Sequence, residues 1–321
     1  MGCCLKQNSL GRSTSVDIDI YGNKKRAFKV AITINLVRDW EDIQLDDFQR
    51  FITAWCFESQ ALERYLDATP GTKEWDDSRE EAIMTWFNYL HRRIPAQPRK
   101  FVPNPSLVCP AELAQGWVML QQEVKNGIDL TPRLSRKIEN ADYNDGMLYD
   151  WGFYHFHLGT AFDPKHPRLI QGTSFVLFAI VDPYEFYPID FVQHGAWGDK
   201  AILEKAISAF PNRFEKFCLK GITDIASPFI GENVDEIRKC GVNIFHEIGD
   251  KIYAPPGMGM TTAATSVAAT MILDRDRRRF QKLENLIRKS FDAQHLTGEV
   301  RLIRDPSAEN AFKIELRPQS I

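Results

Sequence analysis

At 321 residues the chain is long enough for one large or two modest domains with a sizeable core. Its 44% hydrophobic and 26% charged content is that of a globular protein. A net charge of −3 excludes a global attraction to nucleic acid or anionic lipid and leaves only local basic patches.

No apolar run reaches the ~18 residues of a membrane span, and the opening MGCCLKQNSLGRSTS lacks the apolar stretch of a secretory signal. Met1-Gly2-Cys3-Cys4 resembles the start of a lipidation signal, but Lys6 stands where a myristoylation pattern wants Ser or Thr. The cysteines at 3, 4, 56, 109, 218 and 240 form no CxxC pair, which argues against a zinc ribbon. A reduced, cytoplasmic protein with no membrane partner and no cofactor is expected.

Residues 1–15 are polar and expected to be flexible. Alternation over 16–21, turn chemistry at Tyr21-Gly22-Asn23-Lys24 and period-two apolar residues from Phe28 to Leu36 predict an N-terminal hairpin. Helical spacing predicts helices over 45–66, 76–93, 110–125 and 131–139, the third opening at Pro110. Strands are predicted over 149–159, 174–181 and 185–194, followed by an amphipathic helix over 199–210. A short helix (234–240), two short strands (243–248 and 251–254), a long helix (265–290) and a final hairpin (300–304, 312–316) complete the chain. The expected fold class is α+β, an antiparallel sheet with helices on one face. The main domain is expected over 16–214 and a smaller C-terminal α+β subdomain over 215–321.

The most suggestive segment is Asp145-Gly146-Met147-Leu148-Tyr149-Asp150-Trp151-Gly152-Phe153-Tyr154-His155-Phe156-His157-Leu158-Gly159. On a strand, His155 and His157 share one face, with Trp151 and Phe153 below them in the same row. Paired imidazoles suit acid–base chemistry on a phosphodiester, since imidazole titrates near neutrality. They equally suit a shared metal, or hydrogen bonds that merely hold a semi-buried sheet together. A metal would need a third ligand, for which His194 or Asp190 is the candidate, since no glutamate follows at short spacing as in a cupin. His194 and Asp190 on the third strand could approach the pair and orient it. Lys165, His166 and Arg168 in the intervening loop, with Lys200 beyond, could contact phosphate.

The stretches Gly127-Ile128-Asp129-Leu130-Thr131-Pro132-Arg133-Leu134-Ser135, Asp150-Trp151-Gly152, His155 to Gly159, His194-Gly195 and Tyr253-Ala254-Pro255-Pro256-Gly257 resemble an uncharacterised bacterial protein family with no activity to carry over. The order of helices, three strands ending in FHLG, SFVLFAIVD and EFYPIDFVQHG, and then a helix is similar to the RelE/ParE toxin superfamily, whose RelE branch cleaves RNA without metal. That likeness implies a metal-independent endoribonuclease, with RNA as partner and an antitoxin protein as a further one. Two other functions fit the same residues. One is a metal-dependent hydrolase built on the HxH pair; the other is a non-enzymatic regulatory or binding partner of another protein.

Farther along, Gly257, Gly259, Thr261 and Thr262 precede the long helix, where exposed amides could hold an anion. The alternative is a plain capped turn with Thr265 or Ser266 as N-cap. No Gly-Lys-Ser/Thr close of a P-loop is present.

Overall fold

A computed structural model describes residues 13–18, 28–195, 197–222, 225, 234–294, 298–306 and 311–317. In chain order the elements are β1 (Ser13–Ile18), β2 (Phe28–Ile34), α1 (Leu36–Trp55), α2 (Gln60–Asp67), α3 (Lys73–Arg92), β3 (Lys100–Phe101) and α4 (Ala114–Asn126). Then come α5 (Gly146–Trp151), β4 (Tyr154–His157), β5 (Phe175–Val181), β6 (Glu185–Gln193), α6 (Lys200–Ala209), α7 (Pro211–Phe214) and α8 (Val234–Lys239). Strands β7 (His246–Ile248) and β8 (Lys251–Tyr253), helix α9 (Val267–Gln294), and strands β9 (Gly298–Arg304) and β10 (Phe312–Arg317) follow. The fold is α+β.

The chain forms two compact units, residues 1–54 with 272–321, and residues 55–271. A boundary near residue 215 does not separate them, because the hairpins at the two chain ends share one sheet of order β1-β2-β9-β10. The joining pair is parallel, with Ile32 opposite Gly298 and Ile34 opposite Val300. In this unit Trp40 stacks on Phe280 at 5.4 Å, and the buried Asp39 carboxylate accepts the Leu302 amide at 2.9 Å. The turn of the expected first hairpin, residues 19–27, and residues 1–12 of the expected flexible N-terminus lie outside the described residues.

The second unit is built on a sheet of order β3-β6-β5-β4, antiparallel except where β3 runs parallel to β6. Both faces are covered, not one. On one face Phe101, Phe156, Phe186 and Phe191 meet α4, whose Trp117 lies edge-on to Phe101 and Phe191. On the other, Val176, Phe178 and Ile180 pack with Ile202, Leu203 and Ala206 of α6. Burial in β5 is therefore continuous from Val176 to Ile180, as a sheet between two helical layers requires.

Helix α4 comes very close to the sheet at Gly116. A Cβ there would stand 1.8 Å from the Leu158 carbonyl oxygen and 2.6 Å from its carbon, backbone that cannot swing away. Gly116→Ala is expected to lower stability by about 1–3 kcal/mol through overpacking, read as a shift in the urea midpoint with an unchanged m-value. An unaltered midpoint would show that α4 does not seat on the strand that carries the histidines.

Three predicted elements differ. The helix expected over 45–66 is two helices: Cys56 adopts φ +53°, Ser59 caps α2, and Glu58 between them exchanges backbone hydrogen bonds with Glu139 and Ala141 at 2.9 and 2.8 Å. The helix expected over 131–139 is a pair of single 3₁₀ turns, Thr131–Arg133 and Arg136–Glu139. The strand expected from 149 begins only at Tyr154. Before it, the Asp145 side chain caps α5 by accepting the Leu148 amide at 3.1 Å, and Gly152 ends the helix at φ +77°. Trp151 is thus a helical residue and does not sit in a strand row beneath the histidines.

Candidate functional site: a histidine cluster at the head of a cleft

The strand register fixes the histidines. His155 pairs with Phe178 and His157 with Val176, so both side chains leave the same face of the sheet. The chain leaves β6 with the His194 amide donating to the Ser174 carbonyl at 2.7 Å, which brings His194 beside the end of β4. His157 and His194 lie ring on ring, 5.5 Å between centroids and 27° between planes, and His155 is 6.0 Å from His157. The Trp197 indole closes the group, 4.7 Å from His155 and 4.9 Å from His194.

The two strand histidines have different surroundings. His157 lines a cleft of about 1140 Å³ together with His194, Ser135, Arg136, Lys165 and Thr173. Its Nδ1 accepts the Thr173 amide at 3.3 Å, so the proton of the neutral ring sits on Nε2. His155 does not line that cleft. Its Nε2 is buried without a protein partner, beside a void of about 20 Å³ with room for one water among Ser135, Tyr143, Asp145 and Tyr154. Burial pushes both imidazoles down to about 4, aided for His155 by His194 and for His157 by His155, His194 and Arg136. Both rings are therefore neutral at pH 7.

The cleft wall is held from behind by Arg133, which is 1% exposed. Its guanidinium is paired with Glu123, and its Nη1 donates to the carbonyls of His157 and Gly159 at 3.2 and 3.3 Å. That position needs a planar, multiply donating cation, which lysine does not supply. The opposite rim is a loop held by its own backbone and by two bonds to the 132–139 turns. The Asp163 carboxylate accepts the amides of Lys165 and His166 at 2.8 and 3.2 Å, and its own amide donates to the Leu169 carbonyl at 2.8 Å. The Ile170 amide donates to the Pro132 carbonyl at 2.6 Å, and His166 Nδ1–H donates to Glu139 at 2.8 Å.

The charge balance in the cleft follows. Arg136, Lys137 and Lys165 supply three cations, while its two carboxylates, Asp163 and Glu139, are already engaged by the loop amides and by His166. Arg136 and Lys165 are exposed and have no ion-pair partner among the described residues. With three cations to two carboxylates, the cleft carries a small positive excess beside neutral imidazoles.

Several residues expected at the site stand elsewhere. Asp190 pairs in register with Phe178, one strand beyond His155, and its carboxylate is bound by Lys205, so it orients no histidine. Arg168 lies over the Trp55 ring at 5.6 Å, and Lys200 opens α6 in solvent; neither lines the cleft. The Gly257 and Gly259 amides donate to the Asp150 and Tyr149 carbonyls at 2.8 and 2.7 Å, leaving neither for an anion. Thr261 binds the Thr265 hydroxyl at 2.7 Å, and Thr262 lines a separate cleft with acidic walls. Ser266 accepts the Ala269 amide at 3.3 Å at the head of α9, so the segment is a capped turn.

Sequence reasoning missed Ser135, Arg136, Lys137 and Thr173, which complete the cleft, and Trp197, which covers the histidines. Adjacent cations at 136 and 137, just after Pro132, were the available signal, and a regular helix over 131–139 would have hidden it by turning them apart. Also missed was a buried group behind the site. Asp150 accepts from His246 Nε2 at 2.7 Å and from Arg238 Nε at 2.8 Å, and Arg238 stacks over Trp151 at 3.9 Å. Arg238 Nη1 donates to the Trp197 carbonyl at 2.6 Å, tying α8 to the segment that covers the histidines.

Among the described residues no three His, Cys, Asp or Glu side chains are grouped as ligands of a metal ion, and no helix is long and apolar enough to cross a membrane. No family model, curated protein or solved structure matches the chain.

Proposed function

We propose that the cleft cleaves RNA phosphodiester bonds by metal-independent transphosphorylation. The observation that carries this is the stacked His157–His194 pair at the head of a cleft whose cations outnumber its unengaged carboxylates. The reaction uses the substrate's own nucleophile. The 2′-hydroxyl attacks the adjacent phosphorus, the P–O5′ bond breaks, and a 2′,3′-cyclic phosphate and a 5′-hydroxyl form. His194 takes the 2′-hydroxyl proton and returns it to the departing 5′-oxygen, so protons balance across the step. His157 serves as a neutral donor, its Nε2–H aimed at a non-bridging oxygen, where negative charge grows in the transition state. Lys165 offsets the remaining phosphate charge. His155, behind the cleft wall, holds the strand in place and touches no substrate.

The likeness in element order to the RelE/ParE toxins contributes nothing here, because fold does not fix function. The test is cleavage of an end-labelled single-stranded RNA in excess chelator. His194→Ala and His157→Ala are each expected to slow cleavage by about 10²–10⁴-fold, and the 2′-deoxy version of the substrate should be inert. A 2′-deoxy strand cut at the same rate, or full activity in His194→Ala, would overturn the proposal.

A further inference from the structure

The histidine cleft does not end at its own walls. Arg136, Lys137, Glu139 and His166 also line a second cavity of about 420 Å³, whose far side is Cys56, Glu58 and Asn140. The two spaces adjoin along these four shared residues, and the groove they make together is crossed at its waist by the His166–Glu139 hydrogen bond. Sites for single small molecules occupy about 300–1,000 Å³. The histidine end alone is about 1140 Å³, and the groove continues beyond it.

The cations follow the length of this groove. Lys165 stands at the histidine end only, whereas Arg136 and Lys137 face both cavities. Arg136 is exposed, and Glu139, the carboxylate that lines both cavities with it, is occupied by His166. Next in sequence to Cys56 stands Trp55, with the guanidiniums of Arg168 and Arg93 over its ring at 5.6 and 5.8 Å. Indole and guanidinium groups are the kinds of surface on which unpaired bases stack.

We infer, building on the phosphodiester cleavage proposed above, that the groove holds several consecutive nucleotides of single-stranded RNA. The reacting phosphate lies against the cleft-facing edges of His157 and His194, a neighbouring phosphate meets Arg136 at the waist, and the chain runs on through the second cavity toward Trp55 and Arg168. A duplex does not fit this path, since its bases are paired and cannot turn into a concave wall.

The test is fluorescence anisotropy of the full chain with 2′-O-methyl oligoribonucleotides, whose blocked 2′-oxygen prevents cleavage, from a dinucleotide up to a hexamer. The hexamer is expected to bind about tenfold tighter than the dinucleotide, or more. Arg136→Ala, a surface change that leaves folding intact, is expected to flatten the hexamer's log Kd against log salt slope by about 0.7 and to leave the dinucleotide almost unchanged. Affinity independent of length, no binding of any oligomer, equal loss on both probes, or equal affinity for a hairpin duplex would each overturn the inference. Because the probes cannot react, the two proposals fail separately. Length-dependent binding without cleavage of natural RNA would retain the groove and remove the chemistry. Cleavage of a dinucleotide with no gain from length would do the reverse.

Discussion

Acidification from pH 7 to pH 4 is expected to strip the second unit of several kcal/mol of stability, most of it between pH 6.5 and 4. His91, His155 and His157 are each pushed by burial from 6.5 down to about 4. Above 6.5 these rings are neutral in both the folded and the unfolded chain, and their titration costs the fold nothing. Between 6.5 and 4 the unfolded chain takes up protons that the folded one refuses, so stability falls with pH until the folded rings also titrate. For His157, 8% exposed, a shift of this size corresponds to about 3 kcal/mol. His155 and His157 repel each other when charged, so their contributions are shared and do not simply add. Asp145 works in the opposite sense: burial raises its carboxyl, so its protonation favours the folded state and offsets part of the loss at the acid end. Urea midpoints measured across this range should fall steeply in the wild type and less steeply in His157→Asn. A flat profile would mean that the imidazoles are hydrated, and the assignment of a neutral His157 donor would fall with it.

Removing the Arg238 side chain should be the most damaging single change behind the site. Arg238→Met leaves the Asp150 carboxylate, 3% exposed, without its cation and frees the Trp197 carbonyl. Breaking one side of a buried pair costs about 3–5 kcal/mol, because the surviving charge stays out of water. The double variant Asp150→Asn with Arg238→Met should recover much of that loss, since no isolated buried charge then remains. Equilibrium unfolding of the two variants decides the matter. A double variant no more stable than the single one would show that the stranded Asp150 charge is not what destabilises Arg238→Met. The indole over His155 and His194 provides an independent readout. Its fluorescence in Arg238→Met should change under native conditions if α8 positions the Trp197 segment.

How much of this was legible in the sequence depends on the range of the interaction involved. Strands β5 and β6, helix α6 and the long α9 declare themselves by local periodicity, and the structure has all four. The antiparallel arrangement that brings His194 toward His157 was also readable, because Asp182-Pro183-Tyr184 leaves room only for a tight connection. Side-chain alternation alone misjudged 149–153, where the Asp145 cap and the Gly152 terminus favour a turn of helix over a strand. It could not tell that His155 faces a void of about 20 Å³ while His157, two residues on, faces a cleft of about 1140 Å³. That difference is made by Trp197 and by the Thr131–Glu139 turns, which reach the strand from far away in sequence. The Asp150–Arg238–His246 group joins residues 88 and 96 positions apart, and the parallel pairing of β2 with β9 joins the two ends of the chain. No periodicity encodes such meetings.

The loop from Ala161 to Gln171 bears on how fast any ligand engages. Ordering a backbone costs about 1–2 kcal/mol per residue, and here that cost is met during folding, through the Asp163 cap, the Ile170–Pro132 bond and the Gln171–Ala161 bond. A ligand therefore meets a preorganised rim and loses little of its binding energy to arranging the protein. Association should proceed without a slow closing step, at a rate set by diffusion and by the pull of the rim's cations, and should slow as salt screens them. In the cleavage proposed above, a rim of this kind would leave the mouth of the cleft open to water. Rate enhancement would come chiefly from the fixed placement of imidazoles and cations.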